Sequence, residues 1–231
     1  MRRGLVLVHH GVGETDPSAD PAHLVAGVGT LAAQLDWLAG RGYRFWSADE
    51  LARRAAADGP PPGTAVLTFD DGLADGLSVA APLLRDRGVP ATFFVCPGLL
   101  GAQHELVAGP RGRLLSAEEA RELGSLGFDL GAHSMTHPDL RSLDDGALAR
   151  EARDSRARVE ELTGRPCRTF AYPYGLFDAR VERAVEAAGY EVAFAWRPGR
   201  WRRFAAPRLP APVRRGGRRL ALKLARSGLR R

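Results

Sequence analysis

The chain has 231 residues and no run of 18 or more apolar residues, which excludes a membrane-spanning helix. Only two cysteines occur, Cys96 and Cys167. They are isolated and form no C-x-x-C pair, so a disulfide framework and a paired-thiolate motif are both excluded. Lysine occurs once, at Lys223, and no internal repeat is present. The start, "MRRGLVLVHHG", is basic, but its apolar stretch from Leu5 to Val8 is too short for a secretion signal. The expected location is therefore the cytoplasm. The net charge of +6 is confined to one end: the last 18 residues, 214–231, hold eight Lys or Arg and no acid, which leaves 1–213 at −2. A body of that charge with no recognition motif is not a nucleic-acid binder. The expected organisation is one domain over 1–213 and a basic tail over 214–231. That tail is either solvated or a short helix, with Leu220, Leu224 and Leu229 on one side, touching an anionic membrane face.

What is present is a regular alternation. Short apolar runs at 5–9, 65–69, 91–95, 128–132, 168–171 and 191–195 read as strands buried on both faces. Helical patterns fall between them, at 30–40, 48–57, 75–87, 116–125, 144–163 and 178–188. Ser116 followed by Glu119 makes a capping box. Gly88, Gly127, Gly164 and Gly189 stand where helices end in a left-handed residue. Strand and helix alternating this many times means a parallel α/β sheet with covering helices, and the number of units favours a barrel over an open sheet. The connection 97–113 is long for such a domain, the kind of loop that is functional or mobile.

In parallel sheets the chemistry gathers at the carboxyl ends of strands. After 65–69 comes "TFDDG", with Asp70 and Asp71 adjacent, two like charges that call for a nearby cation. After 128–132 comes "AHSMTHPDL". There His133 and His137 have the i, i+4 spacing that sets two imidazoles on one side of a helical turn, at metal-binding separation. One carboxylate and two imidazoles leave coordination positions open, a catalytic pattern. After 168–171 comes the aromatic turn Tyr172-Pro173-Tyr174-Gly175. Each feature also has a plain structural reading as turn, cap or packed wall. Their occurrence at the ends of three separate strands is what favours chemistry.

These three segments resemble the motifs of the polysaccharide deacetylases with a NodB-type domain, carbohydrate esterase family 4, in the order that family has them. "TFDDG" resembles the first motif, "HSMTH" the second and "FAYPYG" the third. The resemblance covers about residues 4–210 and implies a distorted (β/α)7 barrel. It implies that Asp71, His133 and His137 hold a divalent metal, usually zinc, that Asp70 is the general base, and that the backbone N–H of Tyr174 helps stabilise the oxyanion. The implied reaction is metal-assisted removal of an N-acetyl group from an N-acetylhexosamine-containing glycan or glycoconjugate, with Tyr172, Pro173 and Trp196 against the sugar.

The chain departs from the family pattern twice. The usual acid is a histidine in a late Leu-x-Leu-His segment, yet nothing after His137 is histidine. The stretch "LVLVHH" at 5–10 resembles that segment moved to the front of the chain. Relatives of this superfamily acting on poly-N-acetylglucosamine carry such a circular permutation. By that likeness His10 is the acid and His9 stands at the aromatic position that precedes it. His23 and His104, in loops without a preceding strand, are expected on the surface. Second, Ala171 occupies the place of the arginine that positions the base, which leaves Arg168 and Arg208 as candidates. Two rival functions follow from the same residues: an inactive sugar-binding barrel, and an O-acetyl esterase.

Overall fold

Every one of the six apolar runs forms a strand in the computed structural model, which describes residues 3–213 apart from 15, 17, 106, 197 and 198, together with 217, 220 and 222. In chain order the elements are β1 (Leu5–His9), β2 (Gly11–Val12), β3 (Val25–Ala26), α1 (Val28–Ala39), β4 (Arg44–Trp46), α2 (Ala48–Ala55), β5 (Thr64–Phe69), α3 (Ala81–Asp86), β6 (Thr92–Val95), α4 (Ala117–Ser125), β7 (Asp129–Ala132), α5 (Asp145–Thr163), β8 (Thr169–Ala171), α6 (Ala179–Ala187), β9 (Val192–Ala195), β10 (Ala206–Pro207) and β11 (Leu209–Pro210). β1, β5, β6, β8 and β9 are buried at every position, because helices cover the outer face and the barrel interior covers the other. The expected capping box on α4 is formed in both directions. The four expected glycines take φ of 61°, 93°, 64° and 89° at Gly88, Gly127, Gly164 and Gly189.

The sheet runs β10-β9-β8-β7-β6-β5-β1-β11, with all its pairings parallel. β10 and β11 are one extended segment interrupted at Arg208. Ala206 and Pro207 pair with Phe194 and Ala195 of β9, whereas Leu209 and Pro210 pair with Leu7 and Val8 of β1. That segment closes the sheet into the expected barrel, with β1 between the last strand and β5. The barrel is distorted at β5. β4 takes the first half of one edge, from Thr64 to Val66, and β6 takes the second half, at Thr68 and Phe69. The sequence patterns missed β2, β3, β4, β10 and β11, because two- and three-residue strands are too short to show a period.

The tail is not wholly apart from the body. Leu220 is fully buried in the main core cluster, while Leu222 is 55% exposed. Leu224 and Leu229, and hence the expected membrane-facing side, lie outside the described residues. No helix among the described residues is long and apolar enough to cross a membrane.

Candidate active site

The carboxyl ends of β1, β5, β7 and β8 converge on one recess, and the sequence places a polar residue just beyond each. Asp70 and Asp71 follow β5, both at least 90% buried. Asp70 is gripped by Arg208, whose Nη1 and Nη2 each donate to one carboxylate oxygen at 2.6 Å. Nη1 also donates to Thr68 Oγ1, which in turn donates to the carbonyl of Leu7. Burial pushes the Asp70 carboxyl up, but the charges of Arg208 and His133 outweigh it and hold the group below its usual range. Arg208 is therefore the residue that orients Asp70. Arg168 instead pairs with Asp49 and Glu191, away from the recess. Arg208 reaches Asp70 because it interrupts the closing segment, between β10 and β11.

Asp71, His133 and His137 bring one ligand atom each to within 4.8 Å of one another. Asp71 Oδ1 lies 3.3 Å from His133 Nε2 and 3.6 Å from His137 Nε2. The His133–His137 segment is not a helical turn, contrary to the expectation from the i, i+4 spacing. Ser134 and His137 have φ of 61° and 60°, so the chain reverses and brings the two rings within 4.9 Å by a loop. Glu151 of α5 fixes that loop by accepting from the backbone N–H of Met135 and Thr136 and from the Thr136 hydroxyl. His133 Nδ1 donates to the carbonyl of Ala171 at 2.7 Å, so its Nε2 faces the cluster. Asp71 and Tyr174 also have positive φ, 71° and 57°. Left-handed backbone at a non-glycine residue costs roughly 1–3 kcal/mol, and among the described residues four of the five such positions belong to these motif loops.

The electrostatics favour a cation here. Burial raises Asp71, but His10, His104 and His133 bring its carboxyl well below the usual range. Burial lowers His133, and the charges of Asp70 and Asp71 reverse that and push it up. His137 is held down to about 4, by burial first and then by His133. The Asp71 carboxylate with the His137 and His133 imidazoles, the latter once it has given up its proton, forms a donor set suited to a divalent ion.

The double histidine divides between core and recess. His9 is buried, stacked on Phe69 at 5.0 Å, with Nε2 donating to Gln34 Oε1 at 3.0 Å. Gln34 spends its own N–H on the Pro212 carbonyl, which fixes that direction. His10 lies against Trp196, ring centres 5.6 Å apart, and lines a recess of about 50 Å³ with Asp70, Asp71, His133 and His137. Trp196 is 42% exposed at its rim and Tyr174 is 40% exposed, its ring edge-on to His137 at 4.6 Å. Gly175 is required beside them, since a Cβ there would meet Trp196 N at 2.6 Å.

Three expectations need correction. Tyr172 borders the small recess, but its ring offers no face to a sugar. It is fully buried, stacked on Phe177, and its hydroxyl donates to the Phe204 carbonyl, because alternate side chains of the strand end turn into the helical layer. Tyr172→Phe is accordingly expected to cost about 1 kcal/mol of stability and to leave KM for a sugar substrate within twofold, as urea denaturation and steady-state assays would read. Pro173 is buried at the start of the turn and lines neither of two recesses beside the cluster. His104 is not a surface residue: its side chain is 7% exposed and its Nε2 donates to Asp71 Oδ2 at 2.9 Å. No local pattern marks His104, and the length of its loop was the only signal. His23 is exposed as expected. Trp201 lies at the far end of the barrel, its indole N–H donating to the Ala56 carbonyl.

Comparison with known proteins bears on the family and the fold. The family model for polysaccharide deacetylases matches residues 57–193. The chain is 24% identical over 214 residues to the poly-β-1,6-N-acetyl-D-glucosamine N-deacetylase of Staphylococcus epidermidis, covering 82% of this chain and 71% of that one. The deacetylase PplD of Streptococcus pyogenes, solved in complex with acetate, superposes with a TM-score of 0.80 at 22% identity over 95% of this chain and 96% of that one. IcaB of Ammonifex degensii superposes with a TM-score of 0.72 at 26% identity over 94% and 88%. The chain spans 57%, 58%, 44% and 59% of the length of four other curated relatives. Barrel, ordered motifs and family match agree, and the chain belongs to the polysaccharide deacetylase family.

Proposed function

We propose that the chain is a metal-dependent hydrolase that removes the N-acetyl group from an N-acetylhexosamine unit of a glycan or glycoconjugate. The observation that carries this reading is the meeting of an ionised, arginine-held Asp70 with the Asp71, His133 and His137 donors and His10 in one recess. Asp71, His133 and His137 would hold the ion, with zinc the natural match to one oxygen and two nitrogen donors. When bound there, such an ion supplies Lewis acidity toward an acetyl carbonyl and eases deprotonation of water.

The remaining work falls to the chain's own groups. Asp70 accepts the proton of the attacking water, since each carboxylate oxygen keeps a second lone pair beside its Arg208 bond. His10 delivers a proton to the leaving nitrogen, which departs poorly without one. The Tyr174 N–H serves as an oxyanion donor, and loss of one such donor costs roughly 100-fold or more in rate. Trp196 and the Tyr174 ring border the mouth and give a sugar ring apolar faces to rest on. The named activity of the Staphylococcus epidermidis relative supports an acetylated amino sugar as the substrate unit.

The test is metal content measured together with acetate release from N-acetylglucosamine oligomers. The expected result is about one ion per chain and release of acetate, both lost in His133→Ala. Metal binding without acetate from any acetylated sugar would replace this reading with a sugar-binding barrel. Release from O-acetyl esters alone would make the chain an esterase.

A further inference from the structure

We infer that His104 is a positioning residue for Asp71, and that Glu105 beside it pins the loop that delivers it; the inference rests on the reading of Asp71, His133 and His137 as a metal site. The two oxygens of Asp71 face different ways. Oδ1 points to the imidazoles of His133 and His137, while Oδ2 accepts from His104 Nε2 at 2.9 Å. His104 is not part of the mutually close donor set. It thus engages the oxygen that points outward and leaves Oδ1 as the oxygen turned toward the two imidazoles. A carboxylate held that way is a one-oxygen ligand, which keeps coordination positions free for water and substrate.

The same logic holds for the other donors. His133 Nδ1 has the Ala171 carbonyl behind it. His137 Nδ1 has the Glu105 carboxylate 3.8 Å away. One dipeptide in a loop without any motif therefore stands behind two of the three donors. Glu105 Oε1 also accepts from the Tyr174 hydroxyl at 2.8 Å, which ties the loop to the turn after β8.

The loop is built to hold this position. His104 N donates to the Gly112 carbonyl at 2.6 Å. The Gln103 side-chain amide donates to the carbonyls of Val107 and Gly109. Val107 is fully buried against Leu24 and Val25. Isolated antiparallel bridges join Gln103 to Arg113 and Leu114 to Leu73, which tie the loop to the turn after β5. His104 lines both the small recess and a neighbouring cavity of about 250 Å³, so its ring stands in the wall between them.

The test uses the full chain and two readouts. Zinc affinity is measured by competition with a chromophoric chelator for wild type, His104→Ala and His104→Gln. The number of imidazoles on the ion is counted by X-ray absorption. The expected result is a 10- to 100-fold weaker affinity for His104→Ala, at least partial recovery in His104→Gln, whose amide N–H occupies the same place, and two imidazoles in wild type. The metal-free variants are expected to melt within a few degrees of wild type. Should His104→Ala fail to fold, the comparison of His104→Gln with His104→Leu carries the same expectation. Affinities equal within twofold would overturn the inference. So would three imidazoles in wild type falling to two in His104→Ala, which would make His104 a ligand. Wild type that binds no zinc would instead overturn the metal reading beneath it.

Discussion

Replacing Arg208 by methionine is expected to lower folding stability by about 3–5 kcal/mol, the usual loss when one partner of a buried ion pair is removed, and to abolish nearly all hydrolysis. Arg208 is 2% exposed and Asp70 is 4% exposed, so neither charge reaches bulk water. Without the guanidinium, burial is the dominant influence left on Asp70, and it favours the protonated acid, which cannot accept a proton from water. Stability and activity thus fall for one reason. Urea denaturation at pH 7 reads the first and acetate release the second. The double variant Asp70→Asn with Arg208→Met separates them. With no charge left to bury, it should regain most of the lost stability while remaining inactive. A double variant no more stable than Arg208→Met would show that the arginine acts through packing against Phe94 and Phe194 instead.

His10→Gln is expected to lower the rate of acetate release by roughly 100- to 10,000-fold, the span a positioned general acid contributes, with zinc content unchanged. His9→Gln is expected to do the reverse: a normal rate per bound zinc, with lower stability from the lost ring stacking and Gln34 bond. The pH dependence of stability separates the neighbours further. Burial pushes the His9 imidazole down to about 4, whereas an unfolded histidine titrates near 6.5. Below about pH 6.5 the unfolded chain takes up a proton that folded His9 refuses, so this contribution to stability falls from pH 6.5 toward 4 and is fully present above. His9→Gln should lose that part of the slope. An unaltered rate in His10→Gln would remove His10 as the acid.

The strands were legible because five of the six runs form strands buried at every position and the sixth is broken only at Asp129, and such a run needs no period to be seen. The candidate metal donors were legible because Asp71 and His133 lie one or two residues past such a run and His137 follows His133 by four. What escaped was set by contacts remote in sequence. Arg208 and Asp70 are joined across 138 residues, and β10 and β11 exist only because β9 and β1 flank them. The division of labour between His9 and His10 follows from strand alternation, but which one faces the recess depended on the closure of the barrel. The turn at His133–His137 was misread because spacing alone does not reveal left-handed backbone at Ser134 and His137. His104 was misread because a loop without a strand before it gives no hint of where it folds back.

The closing segment also bears on how the protein is made. A ribosome adding about 5–20 residues per second takes on the order of 10 s to pass from Asp70 to Arg208. Throughout that interval the nascent barrel can pair β1 with β5, yet Asp70 has no counter-charge and one edge of β1 has no neighbour. A chain stalled or clipped ahead of Arg208 would carry all three motif segments but leave Asp70 without its arginine and β1 with an open strand edge that invites pairing with another chain. The buried ion pair and the closure of the β1 edge thus both come with the last strand.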